Sequence, residues 1–182
     1  MENTEIIARK ITEMIADESY HLFRDKKFRR LNNFEKIDQV EQDRIFNEIV
    51  VSGLALAVLM FEALAELNSE NRKDLEQLFL NLKVETTSYY GNWLKEMGTE
   101  VEFADLWKGL IEMRCDEYHK DRDEYLKDIK IKANPWKHIV SIGGFRHITR
   151  GKGKAEDELF KIFIHWIDNI SKQITKILLK QI

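Results

Sequence analysis

The chain has 182 residues, 43% of them hydrophobic and 34% charged, and a net charge of −3. This is the size of one domain, able to bury roughly 70% of its unfolded surface, and the small net charge excludes a protein that attracts polyanions over its whole surface. One proline and eight glycines favour long helices over a turn-rich strand fold, and the single cysteine, Cys115, excludes an internal disulfide and suits a reducing compartment.

The first helix is expected from about Thr4 to Leu31, with Ile7, Ile11, Met14, Ile15 and Leu22 as its apolar stripe. Asn32-Asn33 marks a stop and the cap of the next helix, Phe34 to Leu67. That second helix contains the most apolar stretch of the chain, Ile45 to Leu67. Glu48 and Glu62 bracket 13 uncharged residues there, short of the roughly 20 that a membrane span needs. A helix apolar all round must be covered by other helices, so this one is expected at the centre. The N-terminal sequence MENTEIIARK carries no apolar signal core, and a cytoplasmic protein without a membrane partner is the expectation.

Ser69 is expected to cap a third helix, Glu70 to Met97, and Gly98 to close it. Thr99 and Glu102 resemble a capping box opening a fourth helix that runs to about Ile129. Between Lys130 and Ala155 no acidic residue occurs, while four lysines at 130, 132, 137 and 152 are joined by Arg146, Arg150 and Lys154. Within this insert HIVSI and FRHIT flank Gly143-Gly144, which reads as a β-hairpin because primed turns need positive φ. A fifth helix, Glu156 to Ile182, returns Leu159, Phe163, Trp166, Ile170, Ile174 and Ile177 to the core. The fold class expected is all-α: one domain over 1–182, an up-and-down bundle of four long antiparallel helices plus a C-terminal helix, with a basic hairpin-like insert at 130–155.

Several charges fall on the inward stripes. Glu18 follows Ile7, Ile11 and Met14, and Asp25 continues that line. Glu41, Arg44 and Glu48 share a side with Ser52, Ala55 and Leu59, Glu85 flanks Leu78, Leu82 and Tyr89, and Arg114 and Asp121 share a stripe with Trp107 and Leu110. Buried charges need partners. One reading is an internal charge layer in which Arg44 and Arg114 neutralise Glu18, Glu48 or Asp121. Another is a metal site holding Fe, Mn or Zn. Ferritin-like bundles use lone Glu residues and Glu-x-x-His pairs; Glu18-Ser19-Tyr20-His21 resembles such a pair, with Glu48 and Glu85 as lone carboxylates.

Arg114-Cys-Asp-Glu-Tyr-His119 resembles the R-x(4–6)-H signature of the HEPN superfamily, helical bundles that include RNases and toxin components. The resemblance implies an Arg and His acting on a phosphodiester at a dimer interface. On a regular helix five residues set the two side chains about 140° apart, so direct cooperation needs a distortion or a second subunit.

The insert supplies a different chemistry. Lys137, Arg146, His147, Arg150 and Lys152 are candidate anion-binding residues, with glycines that let backbone N–H groups approach a phosphate. Trp136, His138, Phe145 and His147 interleave aromatic faces with these charges, as in single-strand binders. The functional expectation is a binding or interaction protein that contacts a phosphate-containing ligand through the insert. Its other expected partner is a second copy, met through the fifth helix or a bundle face. A ferritin-like metal protein and an R-x4-H RNase are the alternatives.

Overall fold

The computed structural model describes residues 3–128, 135–154 and 156–180. Among them are seven α-helices: α1 Thr4–Arg24, α2 Lys26–Leu31, α3 Gln39–Asn68, α4 Lys73–Glu96, α5 Val101–Asp128, α6 Trp136–Ile148 and α7 Glu158–Leu178, with a 3-10 turn at Phe34–Lys36. No strand occurs among the described residues.

The centre is α3. From Ile49 to Phe61 every residue is buried, and α1, α4, α5, α6 and α7 all pack against this helix. Its length and composition alone would let it cross a membrane, yet 78% of its most apolar window is buried inside the bundle. A helix with no polar face is thereby covered on every side.

The long first helix of the sequence reading is two. It breaks at Asp25, whose carboxylate accepts a hydrogen bond from Phe28 N–H at 2.8 Å and so caps α2. Asp25 looked like a charge on an apolar stripe; capping is what it does instead. Likewise Asp38, not Asn33, caps α3, accepting from Glu41 N–H at 2.8 Å. Ser69 turns the other way from the expected cap, its hydroxyl donating to Glu66 O at the end of α3. Gly98 does close α4: its φ is 90°, and the bonds from Thr99 N–H to Leu94 O and Gly98 N–H to Lys95 O form a Schellman motif.

The expected hairpin does not form. Lys137 to Ile148 is helix throughout, with Gly143 and Gly144 in its interior. These glycines serve packing rather than a turn. A Cβ on Gly143 would lie within 2.4 Å of the Tyr118 ring of α5, and one on Gly144 within 2.5 Å of Ser52 Oγ of α3. The pair lets α6 lie against both helices at once. Residues 129–134, including Lys130 and Lys132 of the basic run, lie outside the described residues.

This packing predicts the sign of two substitutions. In an open helix, Gly→Ala gains up to about 1 kcal/mol. Gly143→Ala and Gly144→Ala are expected to lose about 1–3 kcal/mol each through overpacking, read as a lower urea midpoint at unchanged slope; increased stability would contradict the close approach of α6.

Candidate functional site

The C-terminal end of α6 gathers most of the inward charges. This helix ends in a second Schellman motif, with Gly151 N–H bonded to Arg146 O at 2.8 Å and Arg150 N–H to His147 O at 3.3 Å. The position usually given to glycine is occupied by Arg150, at φ 52°. A left-handed conformation costs an L-residue about 1–2 kcal/mol, and two hydrogen bonds hold it there. Arg150 donates to both oxygens of Glu41, at 3.1 and 2.6 Å.

Glu41 also accepts a two-pronged bond from Arg44, at 2.9 and 2.8 Å. Arg44 in turn donates to the carbonyls of His147 and Ile148 at 2.8 and 2.9 Å, putting a guanidinium on the negative end of α6. The two arginines hold the Glu41 carboxyl well below the usual range, at about 2.

A second network adjoins it. Arg114 is 7% exposed and binds Glu48 through Nη2 at 2.8 Å and Nε at 3.3 Å. It also donates to Glu117 at 3.0 Å. Burial opposes its charge, and the Glu48 and Glu117 carboxylates outweigh that, leaving its pKa raised. The same Glu117 oxygen meets His147 Nε2 at 3.0 Å. Glu41, Arg44 and Glu48 of α3, Arg114 and Glu117 of α5, and His147 and Arg150 at the end of α6 form one connected set. Beside it opens a recess of about 510 Å³ lined by Arg44, Glu48, Arg146, His147, Arg150 and Gly151.

Arg44 therefore pairs with Glu41 and with backbone, not with Glu18 or Glu48. Asp121 meets Arg146 at 3.8 Å. Of the anion-binding candidates, Arg146, His147, Arg150 and Lys152 lie at this end of α6. Lys137 lies at the other end, bound to Asp168 at 2.8 Å. Of the aromatic residues offered for stacking, Trp136 and Phe145 are buried, at 3% and 5% exposed, His138 is exposed near the start of α6, and His147 is half-buried at its end.

The metal candidates occupy separate places. Glu18 accepts from Gln173 at 2.7 Å and Asn169 at 3.4 Å of α7. His21 is exposed and meets Asp17 at 3.6 Å. Glu48 is taken by Arg114, and Glu85 is half-buried on α4. Among the described residues no three His, Cys, Asp or Glu side chains gather to hold a metal.

Arg114 and His119 also diverge. His119 turns to Glu62, at 2.8 Å, which binds Lys83 at 2.6 Å. These three and Cys115 border a cavity of about 210 Å³ between α3, α4 and α5. Burial pushes the Cys115 thiol up to about 12, so it stays protonated and non-nucleophilic at neutral pH.

The expectation that the last helix pairs with a second copy meets an α7 whose Leu159, Phe163, Ile167, Ile170 and Ile174 are buried in its own core. Sequence reasoning passed over α2 entirely. Its Lys-Lys-Phe-Arg-Arg run was absorbed into one long helix, and Asp25 followed by Phe28 was the available signal for a fresh start. No known family model matches this chain, and no curated protein or solved structure is significantly similar to it.

Two outcomes test this geometry. Arg114→Ala leaves Glu48, 13% exposed, without its cation and is expected to cost about 3 kcal/mol, whereas Arg114→Leu combined with Glu48→Leu recovers most of that loss; an additive double mutant in denaturant unfolding would contradict the pairing. For Glu41, a folded pKa of about 2 against an ordinary 4.5 means its contribution is complete above 4.5 and is lost as pH falls through 2. The stability difference between wild type and Glu41→Gln, about 1 kcal/mol for a part-exposed pair, is expected at pH 7 and should vanish on acidification across that window.

Proposed function

We propose that the chain is a helical-bundle binding protein, its four long helices α1, α3, α4 and α5 acting as an up-and-down frame, that takes an anionic phosphate-type group at the recess beside the end of α6. The observation that carries this reading is the lining itself. Three guanidinium groups and an imidazole converge on one recess in a chain of net charge −3.

The groups divide the work. Arg44 is committed to Glu41 and the α6 carbonyls, and Glu48 to Arg114, so both are fixed walls. Arg146 is 59% exposed and among the described residues meets only Asp121, at 3.8 Å, and its fork is open to two anion oxygens. Arg150 is 61% exposed and holds its side chain over the opening by its bonds to Glu41. Lys152, exposed two residues on, adds charge at the rim.

Titration of the protein with inorganic pyrophosphate by calorimetry tests the reading. Saturable binding is expected, weakened about tenfold in Arg146→Ala, the loss of one charge-assisted contact. Absence of binding by the wild-type protein, or an affinity unchanged in Arg146→Ala, would contradict it.

A further inference from the structure

The recess at the end of α6 is one of three in a row. It shares Arg150 with a neighbouring recess of about 550 Å³ that runs past Lys152 to Asn33, beneath Leu31, Ile37 and Ile148. That one shares Asn33 with a third, about 650 Å³, between α2 and the 3-10 turn, lined by Lys26, Arg29, Arg30 and Lys36. Packing makes the row continuous. Lys27 of α2 pairs with Glu158 at the start of α7, and Arg29 lies over the Phe34 ring at 4.5 Å, so α2 is fastened against the same end of the bundle.

The charges along the row are unequal. Lys26, Arg29, Arg30, Lys36, Lys152, Arg150, Arg44 and Arg146 line it, against Glu35, Glu41, Glu48, Asp157 and Glu158. Two of those carboxylates are neutralised by cations outside the row, Glu48 by Arg114 and Glu158 by Lys27. Among the described residues Lys26, Lys36 and Lys152 form no ion pair with a carboxylate, while Arg30 adds to the positive field on Glu158. An acidic protein thus carries more cations along this track than one phosphate needs. Glu35 and Asp157 are set among its cations, whereas an anionic membrane surface would be met best by cations alone.

We infer that the occupant of this track is a single nucleic-acid strand, held by its phosphates. The inference rests on the anion site proposed above and extends it through Arg150 and Asn33 to α2. A positively charged groove that follows a backbone is the general means of binding single strands. With Trp136 and Phe145 buried, the largest aromatic rings of the insert are closed to base stacking and the recognition is by charge, independent of sequence and steeply salt-dependent.

The test is fluorescence anisotropy of the full chain with labelled oligo-dT and oligo-U of graded length, beside the pyrophosphate titration. Affinity is expected to rise with length up to about ten nucleotides and then level. With about four phosphates contacted, log K should fall against log salt with a slope of about −3, and Arg30→Ala combined with Lys36→Ala should lower that slope by about 1.4. Pyrophosphate binding without strand binding would overturn this inference and leave the anion site standing; failure of both would overturn the two together. Strand binding unaffected by the α2 substitutions in a variant with unchanged circular dichroism would overturn the track. So would binding confined to vesicles of phosphatidylserine and phosphatidylcholine.

Discussion

Glu41 joins two arginines that have different tasks. Arg44 is held in place to neutralise the carbonyl end of α6, and Arg150 is kept in a backbone conformation that favours glycine. The end of α6 depends on both: Arg44 donates to its last carbonyls, and Arg150, whose N–H closes the turn on His147 O, is tied by its side chain to α3. Since α6 in turn forms one wall of the bundle against α3, α5 and α7, a single carboxylate links the conformation of a surface turn to the packing of the core. The same arrangement leaves the Arg150 side chain fixed but exposed, which is what a pre-organised anion contact requires.

Charge is distributed by position rather than by composition. The net charge of −3 hides cations gathered on α2 and at the end of α6, beside Arg44 of α3. Elsewhere acidic and basic groups alternate along solvated faces, as in the Lys95–Asp105, Lys83–Glu62 and Lys137–Asp168 pairs. Such exposed pairs contribute little to stability. The Arg114–Glu48 pair differs, since Arg114 is buried and Glu48 largely so, and loss of one partner leaves the other without a counter-charge. Elsewhere on α5, Phe103, Leu106 and Met113 are exposed at 61, 67 and 45%, so this helix presents apolar surface outward while burying an arginine.

The core was legible because periodicity reports it directly. The apolar run of α3, the inward stripe of α7 and the closure of α4 at Gly98 all follow from residue type and spacing. The insert was not, because Gly-Gly between β-branched residues has two physical meanings. It supplies positive φ to a tight turn, or it removes two Cβ atoms where helices touch, and only the Tyr118 ring and Ser52 hydroxyl facing Gly143 and Gly144 decide between them. The inward charges were visible as exceptions to the stripes, but their partners were not. Arg44 finds backbone carbonyls one hundred residues away, which no spacing rule encodes. Asp25 caps α2 and Glu18 meets neutral amides of α7, partners that the stripes do not announce. The basic end was hidden because its parts, near residues 26–36 and 146–152, lie far apart in the chain.

The central claim is that anions are received at the end of α6, between Arg44, Arg146 and Arg150. Its most direct test is a pyrophosphate titration followed by nuclear magnetic resonance, reading the backbone amides and the arginine Nε–H signals together. The account predicts that the largest shifts fall on Arg146, His147, Arg150 and Gly151, with the Arg44 and Arg150 Nε–H signals moving in the same titration. Shifts centred instead on the His119 cavity or the exposed face of α5, or none at all, would contradict it.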